Sequence, residues 1–152
     1  MTFIVLTCAF SQIGCAIQPM NVAGVAMMPT ISNEDLILVN RYFGELKRGD
    51  IIVFKLPKDT SQIFIERIIA LPKDKIEIRN GQVFINDALL SEDYVKPEFN
   101  NLKANMKTAQ IPEGNYFVMG DNRDNSFDSR AWGLLPKDLV TGKYVMTYLS
   151  SK

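Results

Sequence analysis

At 152 residues with 47% apolar side chains, the chain is long enough for one domain with a real core and leaves no room for two large ones. Lys plus Arg and Asp plus Glu both number 17, a balance that gives no electrostatic reason to expect a nucleic-acid partner. Histidine is absent, which removes Ser-His-Asp and Cys-His triads and most zinc hydrolase sites, and nothing in the composition calls for a cofactor.

Residues 3–17 carry no charge but include Ser11 and Gln12, and they fall short of the roughly 20 apolar residues of a membrane span. Two readings fit: a buried strand or helix, or the tail of a transmembrane helix. We therefore divide the chain into an N-terminal apolar segment, 1–19, which is a candidate truncated anchor, and a β domain, 20–152. Cys8 and Cys15 read as small buried apolar residues. Gln12 and the lack of a basic n-region argue against lipid attachment at Cys15.

From Asp35 onward, short β-branched and aliphatic runs alternate with turn residues. The runs are Leu36–Val39, Ile51–Phe54, Ile63–Ile69, Lys75–Ile78, Val83–Ile85, Tyr116–Met119 and Tyr144–Tyr148. The spacing predicts a mainly antiparallel β fold with Leu36–Val39, Ile51–Phe54, Ile63–Ile69 and Tyr116–Met119 in the core sheet. Asn80-Gly81 predicts a tight hairpin, because both residues tolerate the positive φ it needs. Residues 91–110 lack a period and read as a surface loop, within a smaller excursion from the core at about 80–110.

Four segments carry chemistry. The first, Gly24-Val25-Ala26-Met27-Met28-Pro29-Thr30, is a turn entering a strand. Arg48-Gly49-Asp50 is a turn that feeds the run Ile51–Phe54. In Ile65-Glu66-Arg67-Ile68 a charged pair interrupts an apolar strand, which ends at Leu71-Pro72. The fourth, Gly120-Asp121-Asn122-Arg123-Asp124-Asn125-Ser126-Phe127-Asp128-Ser129-Arg130, is dense in Asp, Asn, Arg and Ser. By itself it suits either a self-bonded polar network or a solvated, calcium-like loop. Against an EF-hand, the late Glu is missing and Arg123 and Arg130 would oppose a cation.

In order and character these four segments resemble the signature boxes of type I signal peptidases: a Ser-Met-x-Pro-Thr box, an Arg-Gly-Asp strand, a Lys-Arg strand with its Leu-Pro turn, and a Gly-Asp-Asn-x-x-x-Ser-x-Asp-Ser-Arg box. The likeness covers roughly residues 20–145. It implies the antiparallel, barrel-like β core of that family. It also implies an activity, endoproteolytic removal of N-terminal signal peptides by a serine/lysine dyad, at the outer face of the plasma membrane. Signal peptides of preproteins and the membrane surface would be its partners, and an active signal peptidase paralogue is a further candidate.

Both dyad positions are substituted. Where the family has its nucleophilic serine this chain has Ala26, and where it has its lysine base it has Glu66. The separation of 40 residues between them is that of the compact Gram-positive type, so the alignment is in register. In the Ser/Lys scheme a desolvated, neutral lysine takes the serine proton. A methyl group cannot attack a carbonyl, and loss of a nucleophile costs on the order of a million-fold in turnover. The resemblance therefore implies a scaffold without its catalysis, either a natural pseudoenzyme that binds signal peptides or a partner, or an inactivated variant of an active enzyme.

It also implies roles for other residues. Ser126 would orient the base, and the Ala26 N–H would serve an oxyanion, with Gly24 where some members use a serine hydroxyl. Arg67, Asp121, Asp128 and Arg130 would form structural ion pairs, with Asp128 within reach of Arg67 or Arg130. Met27, Met28, Ile63 and Ile65 would line the substrate cleft. Ala26 and Glu66 are expected to face each other there, with the Glu66 carboxyl turned toward Ser126 or an arginine.

Overall fold

The computed structural model describes residues 16–151. Its strands are β1 (Ile17–Asn21), β2 (Leu36–Asn40), β3 (Ile51–Leu56), β4 (Asp59–Ala70), β5 (Lys75–Arg79), β6 (Gln82–Ile85), β7 (Ala88–Leu89), β8 (Met106–Gln110), β9 (Asn115–Met119), β10 (Leu135–Pro136) and β11 (Val140–Leu149). One short helix, α1 (Ser129–Trp132), precedes β10. The fold is mainly β and antiparallel, as the spacing predicts.

Seven strands form the larger sheet in the order β1-β2-β11-β3-β4-β9-β10, and four form a smaller sheet in the order β7-β6-β5-β8. Alternation explains the strands that cover one core. In β2 only Ile37 and Val39 are fully buried, and they pack with Ile51, Val53, Met27 and Ile31. β3 is buried on both faces: Ile52, Phe54 and Leu56 face a second cluster with Ile68, Val118, Trp132 and Leu135. A third cluster joins the two sheets, with Ile69, Phe117 and Met119 against Ile76, Ile78, Val83 and Ile85. The hairpin between β5 and β6 turns at Asn80 and Gly81, with φ of 47° and 76°.

Two boundaries differ from the sequence reading. Met106–Gln110 is not loop but β8, pairing with β5, so the smaller sheet begins at Lys75. Four of its five side chains are exposed, which is why no apolar period marks it. The boundary drawn after residue 19 falls inside β1, which pairs with β2 from Ile17↔Asn40 to Asn21↔Leu36. Both cysteines and most of the apolar run 3–17 lie outside the described residues. Among the described residues no helix is long and apolar enough to cross a membrane.

Candidate active site

Strand β4 is the axis of the site. Its C-terminal part, from Arg67, pairs with β9, whereas among the described residues Ile63–Glu66 pair only with β3 and leave their other edge open. The open edge borders a cleft of about 390 Å³ whose lining includes Met20, Val22, Val25, Ala26 and Met27 on one side and Ile63, Phe64, Ile65, Glu66 and Phe127 on the other. Ala26 and Glu66 thus share one cleft. Of the expected lining residues, Met27, Ile63 and Ile65 are in it, and Met28 is not among them.

The turn that carries Ala26 is held by the polar box after β9. Asn122 N–H donates to the Ala26 carbonyl at 2.9 Å, and Asn122 Nδ2 donates to the Val25 carbonyl at 3.2 Å. Gly24, at φ 115°, donates its N–H to Asn33 Oδ1 at 2.8 Å. Gly120 sits where the two segments touch. A Cβ there would lie 2.5 Å from the Ala26 carbonyl oxygen and 2.6 Å from Ser126 Oγ, so only glycine permits this approach.

Glu66 is 1% exposed. Ser126 Oγ donates to its Oε1 at 3.0 Å, while Oε2 is buried without a hydrogen-bond partner among the described residues. Burial pushes the Glu66 carboxyl well above the ordinary carboxylate range, the nearby negative charges of Asp128 and Asp121 push the same way, and Arg130 and the Ser126 hydroxyl oppose them. The carboxyl turns toward Ser126 rather than toward an arginine, because both neighbouring guanidinium groups are taken. Arg130 forks onto Asp128, with Nε to Oδ1 at 2.8 Å and Nη2 to Oδ2 at 2.7 Å. Arg67 forks onto Asp121, with Nε to Oδ1 at 2.8 Å and Nη2 to Oδ2 at 2.6 Å.

Each aspartate also organises backbone or hydroxyl groups. Asp128 caps α1 by accepting from Arg130 N–H and accepts from Gly120 N–H at 3.1 Å. Asp121, fully buried, accepts from Thr30 Oγ1 at 2.5 Å, tying the Ala26 turn to the box. Ser129 Oγ accepts from Val118 N–H, and Trp132 Nε1 donates to the Phe127 carbonyl, which close the box onto β9.

A second layer escaped the sequence reading. The Arg67 guanidinium lies 4.0 Å from the centroid of the Tyr94 ring, and Tyr94 OH donates to Glu92, which also receives the fork of the buried Arg123. Arg123 Nε in turn donates to the Gly120 carbonyl. Glu92 and Tyr94 stand on an irregular segment about thirty residues from Arg123, and no local pattern joins them. Among the described residues no group of three or more His, Cys, Asp or Glu side chains could hold a metal ion.

Comparison with known proteins bears on the family and the fold. The profile of the family "Signal peptidase, peptidase S26" matches residues 1–149. Signal peptidase I P of Bacillus subtilis subsp. natto is 37% identical over 136 residues, 82% of this chain and 73% of that protein. A probable signal peptidase I-1 of Synechocystis is 36% identical over 137 residues, 82% of this chain and 67% of that protein. A chloroplastic thylakoidal processing peptidase 1 of Arabidopsis thaliana is 33% identical, but the chain spans only 42% of its length. The crystal structure of a signal peptidase I from Enterococcus faecalis superposes with a TM-score of 0.59 and 33% identity, covering 68% of this chain and all of that one. On this fold, these boxes and these relatives, the chain belongs to the signal peptidase, peptidase S26 family.

Proposed function

We propose that this chain is a signal-peptide-binding member of its family that does not cleave, acting at the extracytoplasmic face of a membrane. One observation carries the reading. The family scaffold around the cleft is intact, yet the nucleophile position is the methyl of Ala26 and the base position is a buried carboxyl bonded to Ser126. Signal-peptide removal needs a nucleophile and an unprotonated amine in contact, and this site offers neither.

Binding is a different matter. The open edge of Ile63–Glu66 can add an extended peptide as a strand, with its side chains alternating into the apolar cleft. The Ala26 N–H is the candidate oxyanion donor, since the Gly24 N–H is committed to Asn33. A chain of this kind could hold signal peptides or modulate an active paralogue.

The test compares this chain with an Ala26→Ser, Glu66→Lys double variant on a preprotein substrate. The expected result is turnover in the double variant alone, with each single variant as inactive as the parent. A signal-peptide-derived inhibitor should bind both proteins. Cleavage by the parent at rates near those of the double variant would overturn the reading.

A further inference from the structure

The cleft has a feature that the family's chemistry does not account for. Among its fourteen lining residues Glu66 is the only ionisable one, and the rest are largely apolar. Its neighbours are already balanced against each other: Asp128 with Arg130 and Asp121 with Arg67. Ser126 bonds to Oε1, and among the described residues nothing bonds to the buried Oε2. A buried polar atom with no partner costs about 1–3 kcal/mol. None of the described residues relieves it.

We propose that the cleft beside Ala26 accepts a primary ammonium group on an unbranched aliphatic stem, as in a lysine side chain of a bound peptide, with Glu66 as its counter-ion. This rests on the peptide-binding reading above and specifies which residue of the peptide the cleft selects.

The apolar lining suits the stem, and Glu66 is the one charged lining residue to meet the head. Val25, Met27, Ile63, Ile65 and Phe127 offer apolar surface along which methylenes can lie. The charges facing Glu66 are Asp128, Asp121 and Arg130, with Arg67 behind Asp121, so an entering cation meets a net negative surround once Glu66 ionises. Because burial holds the Glu66 carboxyl protonated above the ordinary range, ammonium binding must release a proton. The affinity should therefore rise with pH through the Glu66 titration. A neutral ligand that accepts a hydrogen bond from the Glu66 acid would show the opposite trend.

The experiment uses the full chain and three matched signal-peptide-derived peptides that differ at the residue expected beside Ala26: lysine, norleucine or alanine. Affinity is read by fluorescence anisotropy from pH 5 to 9, and proton release by calorimetry in buffers of different ionisation enthalpy. The expected result is tighter binding of the lysine peptide than of the norleucine peptide by about tenfold or more at alkaline pH, a preference abolished in Glu66→Gln. Equal or weaker binding of the lysine peptide, or a preference that survives Glu66→Gln, overturns the inference while leaving peptide binding intact. In a separate arm, n-butylamine is titrated and the Ala26 methyl resonance is followed. If no peptide binds but butylamine shifts that resonance in the parent and not in Glu66→Gln, the ammonium site stands and the peptide reading falls. If neither peptide nor butylamine binds, both fall.

Discussion

Ser126 Oγ donates a 3.0 Å hydrogen bond to Oε1 of Glu66, which makes a serine of the polar box, among the described residues, the only hydrogen-bonding partner of a carboxyl buried on β4. The bond fixes one oxygen and leaves the other unpaired, so it lowers the cost of burial without cancelling it. This residual cost makes Glu66 both a stability liability and a receptor for a cation.

Stability should reveal that liability through its pH dependence. The folded-state pKa of Glu66 lies well above its ordinary 4.5, so above that pH the folded chain keeps a proton that the unfolded chain has released. Stability is then fully present below the unfolded value and falls as pH rises toward the folded one, at about 1.4 kcal/mol per unit. Glu66→Gln removes this slope. Urea denaturation from about pH 4 to pH 9 should show the variant gaining on the parent as pH rises, whatever the fixed cost of the amide. Parallel stability curves for the two proteins would refute the burial argument.

The Arg67–Asp121 fork should be the costliest polar contact to break from one side. Asp121 is fully buried and carries Thr30 as well as both Arg67 bonds, so Asp121→Ala strands a guanidinium that is largely desolvated. A loss of about 3–5 kcal/mol is expected. Replacing both partners with apolar residues should cost less than that single change, and equilibrium unfolding of the set checks it. Additive losses would show that the pair acts as two separate contacts.

Gly120 should tolerate nothing larger. The added Cβ of Gly120→Ala meets the Ala26 carbonyl at 2.5 Å and Ser126 Oγ at 2.6 Å, and the first of these is backbone held by Asn122. The expected cost is about 1–3 kcal/mol, with a shift of the Ala26 methyl resonance that reports separation of the two segments. An unchanged resonance with unchanged stability would mean that the contact relaxes freely.

The sequence by itself determined the mainly antiparallel β architecture. β-branched alternation marks β2 to β6, β9 and β11, and Asn80-Gly81 closes one hairpin, because period and turn chemistry are local properties. The boxes around Ala26, Glu66, Arg67 and Asp128 were equally legible, since their order along the chain is itself a property of the sequence. Strand β8 was not, because an exposed strand carries no apolar period and is defined by its pairing with β5. Only the tertiary structure could assign partners among the charges. Asp121 and Asp128 are equivalent acceptors on paper, and packing alone gave Arg67 to one and Arg130 to the other. The Glu92–Arg123 fork, the Tyr94 ring under Arg67 and the unpaired oxygen of Glu66 are of the same kind. Each depends on which groups are driven out of water together, and that is decided when the strands close on one another.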